Sequence, residues 1–263
     1  MKKRTVKKNS SSLHSFRCHN LSVQVGEKQV VHSVSLLLRS GETHILMGPN
    51  GSGKSTLVGA FMGLPQYKIS RGSLQLGKMS LTKAPSEKRA ATGLFLGFQN
   101  PPVLPGVSAL SLLRHARSMK SSGIAPFDLK EFAAILKRAA AQLGIDQSFL
   151  TRSLNEGFSG GEKKKSEILQ LLMLRPSFAF LDEIDSGLDI DALKVCLDAL
   201  RAYQAQQNAG LLFVTHNPSL LRYVTPTHVH IMIRGRIVRT GTRDLMDLVA
   251  DKGFAPFLKP KAL

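Results

Sequence analysis

Apolar and polar positions alternate from Phe16 to Leu38 in two runs divided by Gly26-Glu27-Lys28, the pattern of two strands joined by a turn. A third strand is expected from Glu42 to Met47, running straight into a glycine-rich segment, with a helix over roughly Gly53 to Met62. Residues 74–80 read as a short strand and 94–98 as a buried one. From about Pro101 the period changes. Ser108–Lys120 and Asp128–Leu143 carry apolar residues three and four apart, as helices do, with breakers at Ser121-Ser122-Gly123 and Pro126 between them. Beyond Asn155 the alternation of helix and strand resumes: helix 161–174, strand 178–181, helix 190–207, strand 211–215. Two strands then flank Gly235, and a last helix covers 243–250. This order predicts an α/β protein whose helical insertion, about 101–157, interrupts one domain spanning 15–263. There is no internal repeat, so the chain holds one copy of whatever unit it builds.

Composition narrows the class only modestly. With 263 residues, 43% of them hydrophobic, the chain can bury a sizeable core. No apolar run reaches the ~18 residues of a membrane span; the richest stretch, Ile168–Leu181, is broken by Arg175 and Pro176. Membrane insertion is therefore not expected, and the basic start, lacking an apolar stretch behind it, does not read as a secretory signal. Cys18 and Cys196 lie far apart with no metal-type spacing, which argues against a disulfide scaffold and for a reducing, cytoplasmic setting. The net charge is +18, and Lys2, Lys3, Arg4, Lys7, Lys8 and Arg17 stand in a stretch without acids. Residues 1–14 are expected to be a solvated basic arm. With 3 tyrosines, no tryptophan and no nucleic-acid motif, a nucleic-acid partner is not expected.

The candidate chemistry begins at Gly48-Pro49-Asn50-Gly51-Ser52-Gly53-Lys54-Ser55, followed by Thr56. Glycines let successive backbone N–H groups converge on a phosphate, and the following helix adds the positive end of its dipole. Lys54 would reach the β- and γ-phosphates of ATP, and the Ser55 hydroxyl could ligate Mg²⁺. A second element, Ser177–Glu183, is an apolar strand ending in two acids. Asp182 at the strand tip would hold Mg²⁺, and Glu183 would orient or deprotonate the attacking water. Acids after a strand also occur as plain solvated turns, so this element gains its meaning from the phosphate loop upstream.

Taken in order with Gln99, Phe158-Ser159-Gly160-Gly161-Glu162, Ser186-Gly187-Leu188-Asp189 and His216, these segments resemble the motif set of the ABC ATPases, over essentially everything from Phe16 onward. The resemblance implies a P-loop fold with an N-terminal antiparallel β-subdomain, a mixed and mostly parallel α/β core and an inserted helical subdomain. It implies ATP and Mg²⁺ as ligands, and a head-to-tail pair in which Ser159, Gly160 and Gly161 of one copy face the γ-phosphate held by the other. Asp189 would communicate across that pair, Gln99 would sense Mg²⁺ and the attacking water, and His216 would contact the γ-phosphate. The first strand–turn region offers Val25 and Lys28 but no aromatic side chain, so Val25 is the expected apolar contact for the base and nucleotide selectivity stays open.

Within that superfamily, Gly157–Gln170 and Leu181–Lys194 look like SufC, the ATPase of the Suf iron–sulfur cluster assembly machinery. Transporter subunits usually carry Gln-Arg or Gln-Gln where this chain has Glu162-Lys163-Lys164, and Pro-Thr or Ala-Thr where it has Ile184-Asp185. Met47–Leu57, Pro105-Gly106-Val107, Val229-His230 and Gly235–Val238 add to the likeness. Asn100, Asn217 and Lys165-Ser166 depart from it without removing a catalytic group. The likeness implies SufB and SufD as partners, with the cluster thiols supplied by them and no cluster bound directly by this chain. The cytosolic nucleotide-binding subunit of a membrane transporter is the alternative.

Overall fold

The computed structural model describes residues 15–120 and 128–258; the basic arm and the breakers at 121–127 lie outside the described residues. β1 (Ser15–Val25) and β2 (Lys28–Arg39) form the expected hairpin, and β3 (Thr43–Met47) leads into α1 (Lys54–Met62). β4 (Lys68–Leu76) and β5 (Met79–Ser80) complete a four-stranded antiparallel sheet in the order β2-β1-β4-β5. Then follow α2 (Ser86–Ala91), β6 (Leu94–Gly97), β7 (Leu104–Ser108), α3 (Ala109–Lys120), α4 (Leu129–Gln142) and β8 (Ser153–Leu154). The second half runs α5 (Gly160–Leu174), β9 (Phe178–Asp182), α6 (Ile190–Gln207), β10 (Gly210–Thr215), β11 (His228–Ile233), β12 (Arg236–Gly241), α7 (Asp244–Lys252) and α8 (Ala255–Leu258).

The main sheet has six strands in the order β12-β11-β3-β10-β9-β6, parallel except for the antiparallel β12. β3, β9 and β10 are buried along their whole length, as parallel strands covered on both faces must be. Alternate residues feed two cores. Ile45, Met47, Leu181, Phe213 and Ile231 pack against α5, α6 and α7. Leu46, Phe180, Leu212, Val214 and Met232 pack against α1 and the antiparallel sheet. There Phe16, Phe61 and Phe180 join strand, helix and sheet, with centroids 4.9, 4.8 and 5.2 Å apart.

Two local expectations are revised, and one short helix is added. Instead of one strand over 74–80, β4 starts at Lys68 and turns at Gly77 into β5. Its polar first half, Lys68-Ile-Ser-Arg-Gly-Ser, conceals the alternation, and pairing with β1 (Phe16 opposite Leu76, Cys18 opposite Leu74) imposes the strand. α2 is only six residues, too short for a helical period to show. β7 and β8 pair as a small ribbon inside the region expected to be purely helical.

α2 supplies Arg89, which is buried and donates to the carbonyls of Ala60 (2.6 Å), Phe61 (2.9 Å), Ala84 (2.7 Å) and Thr82 (3.2 Å). It thereby satisfies carbonyls at the end of α1, the helix that carries the phosphate loop. Arg89→Ala is expected to destabilise the protein by about 2–4 kcal/mol through these lost charged bonds and the orphaned carbonyls. Urea unfolding checks this, and a midpoint equal to that of the wild type would remove the role.

At the end of the parallel sheet opposite the loop, burial pushes His44 down to about 4 and His230 to about 3, with neighbouring histidines adding to the shift. Both rings are neutral at pH 7. Burial likewise pushes the Cys18 and Cys196 thiols up to about 12 and about 11, and each belongs to a different core. Among the described residues, no helix is long and apolar enough to cross a membrane.

Candidate nucleotide site

The loop from Gly48 to Gly53 connects the tip of β3 to α1. Gly48 passes so close to β11 that a Cβ there would lie 2.1 Å from the Met232 carbonyl oxygen. Gly53 takes φ 101°, which suits glycine, and starts α1 with no side-chain cap. The first N–H groups of α1 are therefore left to an external acceptor. Pro49 accepts the Ser52 N–H at 3.2 Å, with Asn50 and Gly51 at the turn between them. The buried Ser52 hydroxyl oxygen has no partner among the described residues. Lys54 is 5% exposed and donates Nζ to the carbonyls of Gly48 (2.8 Å) and Pro49 (3.1 Å). Burial lowers its pKa, and Glu183 and Asp182 oppose that shift.

Two acids face this cation. Asp182 ends β9, next to β10 in the sheet. Burial raises its carboxyl, and the neighbouring charge of Glu183 raises it further, while a hydrogen bond from Ser55 lowers it. Asp182 Oδ1 is buried without a partner. A hydroxyl bonded to a carboxylate with a spare, unsatisfied oxygen is a donor set that fits a hard divalent cation such as Mg²⁺.

Glu183 has φ 49°, in the left-handed region, and its N–H is held by the Val214 carbonyl at 2.8 Å. A non-glycine residue held there stores strain, which is typical of working sites. The turn aims its carboxylate between two side chains: Gln99 donates Nε2 to Oε2 at 2.7 Å, and His216 Nδ1 lies 3.1 Å from Oε1. The three residues expected to handle water and γ-phosphate thus meet, although Gln99 follows β6 and His216 follows β10.

The remaining expected residues form a second group. Ser159 caps α5 in a reciprocal box with Glu162: its hydroxyl accepts the Glu162 N–H at 3.3 Å, and its own N–H reaches Glu162 Oε2 at 2.7 Å. Asp189 caps α6 by accepting the Ala192 N–H at 2.7 Å. Gly160 and Gly161 pack beside Gly187, the Gly161 Cα region lying against the Gly187 carbonyl. Ser159, Gly160, Gly187 and Asp189 are exposed, and Ser159 and Asp189 make these hydrogen bonds within their own helix ends. Val25, the expected base contact, is 36% exposed at the end of β1.

Sequence reasoning missed one brace. Lys164, buried on α5, donates to the Phe98 carbonyl next to Gln99 and to the Asp182 carbonyl at 3.3 Å. Glu167, one helical turn on, pairs with Lys164 at 3.5 Å and accepts the Phe98 N–H at 2.6 Å. The pair therefore fixes the Gln99 segment to α5 and β9. A Lys-x-x-Glu spacing on the apolar side of a helix was the available signal. Burial raises the Glu167 carboxyl to about 7 against the opposing pull of Lys164 and the Phe98 N–H. The folded state then holds a proton more tightly than the unfolded chain, so this group's contribution to stability falls as pH rises from 4.5 through about 7. Glu167→Gln is expected to flatten the stability–pH curve in that window, by at most about 3 kcal/mol. Denaturant midpoints of both proteins between pH 4.5 and 8 check this, and curves of equal slope would refute it.

The chain matches the ABC transporter family over residues 31–186. It is 43% identical over 237 residues to a probable ATP-dependent transporter, ycf16, of Cyanidium caldarium, covering 89% of this chain and 93% of that protein. It is 41% identical over 235 residues to vegetative protein 296 of Bacillus subtilis, covering 89% and 90%. Among solved structures, the ATP-binding subunit of an ABC transporter superposes with a TM-score of 0.74 at 25% identity, covering 90% and 93%. A bacterial ABC transporter cassette solved as a dimer superposes with 0.74 at 19%, covering 87% and 98%. The motif order, the antiparallel and mixed sheets and these likenesses agree: the chain belongs to the ABC transporter family and is an ATP-binding, ATP-hydrolysing cassette of the ABC type.

Proposed function

We propose that this ATPase works as a SufC-like subunit, closing on ATP as a head-to-tail pair and driving a conformational change in a SufB/SufD scaffold during iron–sulfur cluster assembly. The observation that carries the ATPase chemistry is the Glu183 carboxylate held between Gln99 and His216 beside the Lys54 loop. Lys54 and the free amides of α1 bind the β- and γ-phosphates. Ser55, Asp182 and Gln99 would hold Mg²⁺, which neutralises charge on the phosphate oxygens. Glu183, kept in place by its strained turn, orients the attacking water and takes its proton. Gln99 and His216 fix the carboxylate and reach toward the γ-phosphate. Ser159 keeps its hydroxyl proton free, because it uses oxygen alone to cap α5, and donates it with the Gly160 and Gly161 amides to the partner copy's γ-phosphate. Exposure of that group suits a role across an interface, and the similar cassette solved as a dimer supports it.

Two features favour the scaffold role. The segment Glu162-Lys163-Lys164, which departs from the Gln-Arg or Gln-Gln usual in transporter subunits, ends in Lys164, a buried brace between the Gln99 segment and Asp182. Beside that segment runs a largely apolar groove of about 740 Å³, lined by Phe95, Phe98, Pro101, Pro102, Leu104 and Leu112, suited to receive a partner whose binding is felt at Gln99. Both cysteines are buried and protonated, which agrees with cluster thiols supplied by partners. The transporter reading is favoured by the names of ycf16, a probable ATP-dependent transporter, and of a probable ABC transporter ATP-binding protein of Streptococcus pyogenes, 42% identical over 237 residues. Affinity capture of the chain from its native cells separates the two. Soluble scaffold proteins are expected, and recovery of an integral membrane permease instead would reject the Suf role.

A further inference from the structure

The approach to β3 reads Glu42-Thr43-His44, and β11 reads His228-Val229-His230. Side chains two apart on a strand share a face. β3 and β11 pair in parallel with His228 opposite His44, so all four residues stand on one face of two adjacent strands. The rings of His44 and His228 are 4.6 Å apart, and those of His44 and His230 5.1 Å. Glu42, His44 and His228 each offer one ligand atom, all within 4.8 Å of one another.

Most of this cluster satisfies itself through a chain of hydrogen bonds. His44 Nε2 lies 3.1 Å from Glu42 Oε2, His44 Nδ1 lies 3.1 Å from His230 Nε2, and His230 Nδ1 lies 2.9 Å from Thr240 Oγ1. A carboxylate only accepts, so His44 Nε2 donates to Glu42, His230 donates to His44, and the Thr240 hydroxyl donates to His230. A self-contained polar network explains these three contacts. It does not explain His228, whose buried Nδ1 has no hydrogen-bond partner among the described residues while its ring lies against that of His44. An orphaned imidazole nitrogen beside a second imidazole and a carboxylate is what a metal ligand looks like without its ion.

We propose that Glu42, His44 and His228 form a binding site for a divalent transition-metal ion of the zinc class, with His230 and Thr240 as its outer hydrogen-bonding partners. Two imidazoles and one carboxylate suit Zn²⁺ and its first-row neighbours; Mg²⁺ prefers a shell of oxygens. Three protein ligands leave a fourth position for water. The hydrogen-bond chain is built to accept the ion without a net change of protons. When His44 Nε2 takes the metal, its proton resides on Nδ1 and is donated to His230 Nε2. His230 then carries its proton on Nδ1 and donates to the Thr240 hydroxyl. This is the usual outer partner of a ligating histidine, fixing its tautomer and orientation. Arg39 donates its backbone N–H to Glu42 Oε2 at 2.7 Å and its guanidinium to Oε1 at 3.2 Å, which orients the carboxylate. The site lies about 13 Å along β3 from the start of the phosphate loop, and is thus separate from the Mg²⁺ position. A bound ion would tie the β2–β3 turn to β11 and join the antiparallel sheet's exit to the parallel sheet.

The test uses the untagged full-length protein, stripped of metal by a chelator and free of nucleotide, titrated with Zn²⁺ and separately with Co²⁺. One equivalent of Co²⁺ is expected to bind with the intense visible absorption of a four-coordinate site, and saturating Zn²⁺ to raise Tm by about 5–10 °C. His228→Ala should abolish both signals while binding nucleotide normally, which shows that it folds. Glu42→Gln, which removes a ligand, should weaken Co²⁺ binding more than about 100-fold, and Thr240→Val, which removes an outer partner, about 10- to 100-fold. Asp182→Asn should leave it unchanged. Absence of binding by the wild type, or equal affinity in His228→Ala, would overturn the proposal.

Discussion

Lys54→Ala is expected to abolish useful ATP binding, raising Kd by two to four orders of magnitude. The lysine is the buried cation of the loop, and a triphosphate placed there without it would leave anionic charge desolvated and unpaired. Removing one partner of such a pair costs about 3–5 kcal/mol. The amides at the start of α1 remain, so a weak residual anion affinity should survive. Stability of the nucleotide-free protein should move little, because Lys54 is held there by carbonyl contacts that only offset its own burial. Lys54→Arg should not rescue binding: the site is 5% exposed, and a planar guanidinium does not fit where an ammonium is wrapped by loop carbonyls. Titration with a fluorescent ATP analogue measures the effect, and a Kd within about threefold of the wild type would contradict the assignment of this loop.

Glu183→Gln carries the second large effect. The amide has the shape of the carboxylate and still accepts from Gln99 Nε2, so the local turn and ATP binding should persist. What is lost is the ability to take a proton from water. General-base catalysis contributes about 10²- to 10⁴-fold, and hydrolysis should fall by that amount while Kd for ATP stays within a few-fold. A variant that loses ATP binding and hydrolysis together would place Glu183 in binding instead of chemistry.

Legibility in the sequence followed the range of the interactions. The phosphate loop could be read directly because its demands are local: Gly48 under the Met232 carbonyl and Gly53 at positive φ constrain residue type at fixed spacing. The strand–helix alternation of the core was equally plain, since β3, β9 and β10 are buried on both faces. Gln99, Glu183 and His216 could be named from motif order, but their meeting depends on β6, β9 and β10 lying side by side, which is a property of the sheet. β4 was half hidden because β1 pairs with a polar segment. The Lys164–Glu167 brace and the Glu42–His44–His228 cluster were not foreseen for a common reason. Charged residues on a helix and scattered histidines look solvated in a sequence, and only burial turns them into partners.

On the proposed mechanism, ATP closes two copies of this chain around nucleotide, with Ser159, Gly160 and Gly161 of each completing the other's site. ATP can drive that closure only by contacting the closed pair better than the separate chains. The most direct measurement is the solution mass of the Glu183→Gln protein by light scattering, with and without Mg-ATP. Doubling of the mass with Mg-ATP, abolished by the further change Lys54→Ala, is the result expected; a mass that Mg-ATP does not change would contradict the clamp.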